Sequence, residues 1–166
     1  VRYSLQMAKA QEVPEIFSIY QSRIRWMNTM GLRQWNRTEY LQRYPLPYFR
    51  QLQEQGVLYV LREESSGEIM GAGALLQEDD RWLNSYGAVY VHHLVTLPEV
   101  KGAGRVFLAQ AKMLILEQGK RRICLDSAED NAVLNHYYES LGYQAAGQCM
   151  DGPYCGIRRE KLLSVV

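Results

Sequence analysis

Between Tyr90 and Gly119 the chain reads YVHHLVTLPEVKGAGRVFLAQAKMLILEQG, and its hydrophobic period changes there from that of a strand to that of a helix. Tyr90 to Thr96 is aromatic and β-branched, and Pro98 ends it. After Gly102-Ala103-Gly104 the apolar residues Val106, Phe107, Ala111, Leu114 and Ile115 recur at helical spacing. The first N–H groups of such a helix lack intrahelical partners and lie at its positive end, which suits a phosphate. Gly102 and Gly104 have no Cβ, so backbone and ligand oxygen can approach closely, and Lys101 and Arg105 add charge. The plainer alternative is that Gly102 supplies a turn of positive φ and Gly104 packs on a neighbouring strand, the commoner case for a lone GxG.

At 166 residues the chain suits a single domain, 1–166, that buries roughly two thirds of its unfolded surface. The net charge of +1 gives no electrostatic footprint for nucleic acid or an anionic membrane, so neither is expected as a partner. Cys124, Cys149 and Cys155 are odd in number and without metal-ligand spacing, which points to reduced thiols and to no metal. The N-terminal segment lacks a basic-then-apolar signal pattern, and no run of about 18 apolar residues occurs. A soluble cytoplasmic protein is expected.

Arg2 to Met7 alternates as a half-buried strand would, and a helix carrying Pro14 in its first turn and Ile16, Ile19, Tyr20, Ile24 and Met27 on one face should run to Gly31. Leu32 to Asn36 reads as a connection with an exposed Trp35. Thr38 is placed to cap a short helix that Pro45 and Pro47 break, and a further helix is expected over Tyr48 to Gln55. Val57 to Arg62 and Glu68 to Gln77 form a hairpin, in which alternating Gly71 and Gly73 leave one face bare for a ligand or a close helix. Arg122 to Asp126 reads as a buried strand, Ala128 to Leu141 as a helix, and Tyr143 to Met150 with Tyr154 to Leu162 as a strand pair.

Two motifs stand within this order. Leu94-Val95-Thr96-Leu97-Pro98 precedes Glu99-Val100-Lys101-Gly102-Ala103-Gly104, and Asn131 is followed seven residues later by Tyr138, then by Glu139, Gly142 and Tyr143. Together they resemble the GNAT superfamily of acyl-CoA-dependent N-acyltransferases, whose motifs are Gln/Arg-x-x-Gly-x-Gly/Ala after a Leu-x-Val-x-Pro strand and Asn then Tyr-Glu-x-x-Gly-Phe. Trp26, Gly31, Gln34-Trp35 and Tyr44-Pro45 resemble a bacterial subgroup, so the likeness covers nearly the whole chain. Two registers are open at the turn. One sets Gly102 and Gly104 on the glycine positions and Glu99 on the Gln/Arg position; the other, gapless, sets Lys101, Gly104 and Val106 there. The helix length to Gly119 favours the first.

The resemblance implies an α/β (α+β) fold with a mixed, mostly antiparallel central sheet flanked by helices. It implies an acyltransferase for groups other than aminoacyl groups, moving an acetyl group from acetyl-CoA to a primary amine of a small molecule or a protein. Leu94, Val95 and Thr96 would bond the pantetheine, with a backbone N–H near Val95 stabilising the oxyanion. Lys101, Gly102, Ala103, Gly104, Arg105 and Asn131 would serve the rest of the cofactor, and Tyr138 would protonate the leaving thiolate. Homodimerisation through the late strands is implied by the same analogy. Each key residue also has a structural alternative: Tyr138 as a core ring bonded to a backbone carbonyl, Asn131 as a helix cap. For the general base, His92 and His93 occupy opposite faces of one strand. His92 is the candidate, Glu78 and Asp79 are competitors, and a packed histidine or a solvated turn is the alternative.

Two other functions compete with this one. A dinucleotide-binding enzyme fails because Phe107 stands where a third glycine belongs and too little chain follows for repeated βαβ units. A catalytically degenerate acyl-CoA-binding or protein-interaction module of the same fold is favoured by Glu99 and opposed by Tyr138 and the glycines.

Overall fold

The computed structural model describes residues 1–32, 35–83 and 86–164. Its elements are β1 (Tyr3–Met7), α1 (Val13–Thr29), α2 (Tyr40–Arg43), α3 (Leu46–Glu54), β2 (Leu58–Glu63), β3 (Ile69–Leu76) and β4 (Ala88–Thr96). They continue with α4 (Ala103–Glu117), β5 (Arg122–Ala128), α5 (Ala132–Ser140), β6 (Gln144–Asp151) and β7 (Tyr154–Leu162). Short 3₁₀ turns lie at Ala10–Glu12 and Trp35–Arg37. The strands form a seven-stranded sheet in the order β1-β2-β3-β4-β5-β7-β6. β1 with β2, β2 with β3, β5 with β7 and β6 with β7 run antiparallel, and β4 with β5 runs parallel, α4 being the crossover between them. This is the mixed, mostly antiparallel sheet that was expected. No helix of the described residues is long and apolar enough to cross a membrane.

The chain divides into two compact units, one of Val1–Leu75 with His93–Ala111, the other of Leu76–His92 with Lys112–Val166. In the first, α1 buries Val13, Ile16, Ile19 and Tyr20, and meets α3 where Phe49 packs edge-on against Phe17 and 4.6 Å from the Tyr20 ring centre. Gln110 of α4 accepts from the Leu5 N–H at 2.7 Å and donates to the Tyr3 carbonyl at 2.6 Å, tying the helix to β1. The bare face of β3 is filled by the protein itself. A Cβ at Gly71 would lie 2.7 Å from the Val95 carbonyl oxygen, and one at Gly73 would lie 2.8 Å from Cζ of the buried Phe107.

In the second unit Trp82 clusters with Ala88, Tyr90 and Cys124. Asn135 of α5 donates to the Ala128 carbonyl at 3.0 Å and accepts from the Ser127 hydroxyl at 2.6 Å. The buried Arg159 donates to the same Asn135 oxygen and to Glu139, so α5 is bonded to both β5 and β7.

Several boundaries differ from expectation. α2 ends at Arg43, just before Pro45 as expected, but the prolines also start α3, because its cap and first turn need no N–H from either. Thr38 caps nothing: Glu39 stands at the N-cap of α2, and the Thr38 hydroxyl donates to the Trp35 carbonyl. Trp35 is half-buried, stacked 4.4 Å from the Tyr40 ring at 11°, while Gln34 lies outside the described residues. β5 runs on to Ala128 and α5 begins only at Ala132.

The close approach at Gly73 is testable. Gly73→Ala is expected to lower stability in urea by about 1–3 kcal/mol through overpacking. Combined with Phe107→Leu it should cost less than the sum of the two single changes. Strict additivity would show that the strain does not act through the Phe107 ring.

Candidate active site

The turn before α4 is built around Gly102, whose φ of +81° lies in the left-handed region. A Cβ there would meet nothing within 4 Å, so the glycine serves conformation rather than space. The first bond of the helix runs from the Val106 N–H to the Gly102 carbonyl, 3.2 Å. The N–H groups of Ala103, Gly104 and Arg105 thus precede the ladder, at the positive end of the helix. Ala103 is buried; Lys101 and Arg105 are exposed. Burial lowers the pKa of Arg23 on α1, and the nearby charge of Glu99 acts to raise it again, so the acid of the turn is coupled to a guanidinium.

The following half of β4 is gripped by helices. His93 has a φ of +57°, unusual for a residue with a side chain; such a conformation costs about 1–3 kcal/mol and persists only where the surroundings hold it. The Tyr20 hydroxyl donates to its carbonyl, the Tyr40 hydroxyl bonds its Nδ1, and the Tyr48 hydroxyl lies 2.8 Å from its Nε2. Burial holds the Tyr20 phenol well above its ordinary pKa, so it stays a donor. Three residues on, Arg23 donates to the Thr96 carbonyl at 2.8 Å and to the Thr96 hydroxyl at 2.8 Å, its guanidinium lying 4.8 Å over the Trp26 ring. Leu94 and Thr96 are half-buried and Val95 is buried.

His92, the preceding residue, belongs to the second unit and to a different environment. Its Nε2 lies 2.5 Å from Asp79 Oδ2, both side chains being largely buried. Burial pushes the Asp79 carboxyl up, but the hydrogen bond and charge of His92, the Arg81 N–H at 2.9 Å and the Arg81 charge together outweigh it, and its pKa lies below the ordinary value. An ionised carboxylate only accepts, so Nε2 carries the proton and, in the neutral ring, Nδ1 the lone pair. Asp79 is therefore a partner of His92 and not a solvated turn residue.

Arg81 extends this network, donating to Asp126 Oδ2 at 3.1 Å and to Asp151 Oδ2 at 2.5 Å, while the Tyr154 hydroxyl donates to Asp126 Oδ1 at 2.6 Å. Asp79, His92 and Asp126 offer three ligand atoms within 4.8 Å of one another. Both Asp126 oxygens are already engaged, and the positive charge at this place is the Arg81 guanidinium.

Tyr138 lies on α5 with its ring buried, 5.8 Å from the Tyr143 ring and 5.6 Å from that of Tyr137. Burial, reinforced by Tyr137 and the Asp126 charge, raises its phenol well above the ordinary value and keeps it protonated. Among the described residues its hydroxyl bonds no carbonyl, yet it is not one of the sealed polar atoms left without a partner. Asn131 caps α5, its side chain accepting from the Leu134 N–H at 3.1 Å.

The chain matches the acetyltransferase (GNAT) family over residues 23–143. Among solved structures, a GNAT-family acetyltransferase from Listeria monocytogenes 4b F2365 is similar with a TM-score of 0.78 at 21% identity, over 97% of this chain and 95% of that one. The PaiA N-acetyltransferase of Thermoplasma acidophilum, in complex with coenzyme A, gives a TM-score of 0.74 at 14% identity over 98% and 99%. YncA of Salmonella typhimurium, with its cofactor acetyl-CoA, gives 0.67 at 17% identity over 100% and 96%. No curated protein matches the chain.

The depressed Asp79 carboxyl has a pH signature. Its folded pKa lies below the ordinary aspartate value, so the stabilisation is complete above that value and is lost as pH falls below it. Asp79→Asn is expected to lower the melting temperature at pH 7, and the gap to wild type should close as pH drops below about 4. A gap that stays constant down to the acid limit of folding would rule out an ionised, His92-bonded Asp79.

Proposed function

The chain belongs to the acetyltransferase (GNAT) family, and from that membership we propose that it transfers an acetyl group from acetyl-CoA to a primary amine, with Tyr138 as general acid and His92 as general base. The observation that carries the reading is the Tyr138 hydroxyl, a proton donor held protonated by burial and given no acceptor among the described residues. A solely structural tyrosine at this depth would spend its hydroxyl on a neighbouring group.

The donor set fits an acyl-CoA. The N–H groups of Gly102, Ala103, Gly104 and Arg105, with the exposed Lys101 and Arg105 side chains, make an anion site suited to a pyrophosphate. Leu94, Val95 and Thr96 offer backbone groups to the pantetheine, and Asn131, while capping α5, is assigned to the cofactor by its motif position. The Glu99 charge is offset in part by Arg23.

In the reaction His92 takes the proton of the attacking amine as the new C–N bond forms and later releases it to solvent. The backbone N–H near Val95 donates to the carbonyl oxygen as negative charge develops there. Tyr138 gives its phenolic proton to the sulfur as the C–S bond breaks, and regains one from solvent. The acceptor class is open to any primary amine. We assign the protein to the cytoplasm, where the free Cys124, Cys149 and Cys155 remain reduced.

Calorimetric titration is expected to show saturable binding of acetyl-CoA and CoA and none of NAD. With an amine acceptor that supports thiol release, Tyr138→Phe should lower kcat by about 100-fold or more at nearly unchanged acetyl-CoA affinity. An absence of binding at millimolar acetyl-CoA would favour a non-enzymatic module of the same fold.

A further inference from the structure

We propose that His93 is a positioning residue: Tyr20, Tyr40 and Tyr48, one from each of α1, α2 and α3, clamp it in its left-handed conformation and so aim the Leu94–Val95 peptide at the thioester carbonyl oxygen. The proposal rests on the acyltransferase reading and assigns a role to residues that reading does not use.

The first support is the completeness of the clamp. One hydroxyl takes the His93 carbonyl and the other two take the two ring nitrogens. In a neutral imidazole one nitrogen donates and the other accepts, so one phenol must accept and the other donate. That fixes the ring in position and in orientation. Tyr44 and Phe49 close the remaining sides edge-on, with ring centres 4.6 and 5.8 Å away. An imidazole with both nitrogens engaged in this way is not a free base, which separates its role from that of His92.

The second support is where the clamp acts. A left-handed residue within a strand interrupts the alternation and turns the next peptide relative to the ladder, a device that re-aims groups beside active sites. Here the next peptide is Leu94–Val95. Arg23 fixes the Thr96 carbonyl and hydroxyl three residues on. The segment 93–96 is thus held at both ends by α1, through Tyr20 and Arg23, with the ring of His93 locked by α2 and α3.

The test is a Tyr40→Phe/Tyr48→Phe double variant, with Tyr48→Phe alone as the second variant should the double change fail to fold. Amide hydrogen exchange at Leu94, Val95 and Thr96 is read beside acetyl-CoA turnover. The expected result is exchange at least about tenfold faster at these amides and a kcat about tenfold lower, with KM for acetyl-CoA within about twofold, because an oriented donor acts on the transition state more than on binding. His93→Gly accepts the positive φ without a ring to hold and should behave as the double variant does. His93→Asn, which tolerates the same φ and keeps a polar side chain, should recover part of the loss. Unchanged exchange would overturn the clamp. Faster exchange at unchanged kcat would overturn its catalytic service. A wild-type protein that neither binds nor consumes acetyl-CoA would overturn the acyltransferase reading and that service with it, while the exchange rates would still decide whether the tyrosines hold the strand.

Discussion

A strand residue with a φ of +57° has to be held by something other than its own strand, and much of the first unit is arranged to hold His93. Hydrogen bonds within a sheet favour extended backbone, so a left-handed residue survives only when side chains around it fix it. Here those side chains come from three helices, α1, α2 and α3, whose aromatic residues would otherwise look like generic core. The same constraint explains why α3 begins at Leu46 with prolines in its first turn: that start puts Tyr48 and Phe49 beside the His93 ring.

In the second unit charge networks stand beside the aromatic packing. Arg81 bridges two carboxylates, Asp79 accepts from His92, and Arg159 is buried against Asn135. Burying a guanidinium is unfavourable without such partners, so these networks tie α5 and β7 to β5 with little tolerance for displacement. Tyr138 sits on the helix so restrained. Among the described residues its hydroxyl takes no part in these networks, which fits a group kept for exchange with a ligand.

Much of the fold was legible in local pattern. The strand-to-helix junction, the hairpin and the last strand pair follow from period and turn residues, and each was found within a few residues of its expected place. What local pattern misjudged was competition between neighbouring preferences. Ala128 has high helix propensity but was retained by β5, whose register with β7 continues to Gly156, and the helix waited for the cap at Asn131. In the candidate site, motifs mark the buried Tyr138 of α5 and the positive-φ turn at Gly102. The site was not legible where it depends on convergence. Tyr20, Tyr40 and Tyr48 carry no spacing that announces a common target, and Arg81 lies 45 and 70 residues from its two carboxylates. Asp79 reads from sequence as a base in its own right, because nothing in the sequence reveals that His92 bonds it.

The three tryptophans are divided between these two settings. Trp26 lies under the Arg23 guanidinium and Trp35 is stacked on Tyr40, both in the first unit, whereas Trp82 is buried in the second, under the Arg122 and Arg158 guanidinia and with no hydrogen-bond partner for its indole N–H among the described residues. An indole sealed from water emits at shorter wavelength than one in contact with it, and a stacked phenol or an overlying cation alters emission in its own way. The protein therefore carries an intrinsic optical reporter for each unit. A blue-edge signal from Trp82 follows the packing around β5, and the remaining emission follows the helices that surround β4, without any added label.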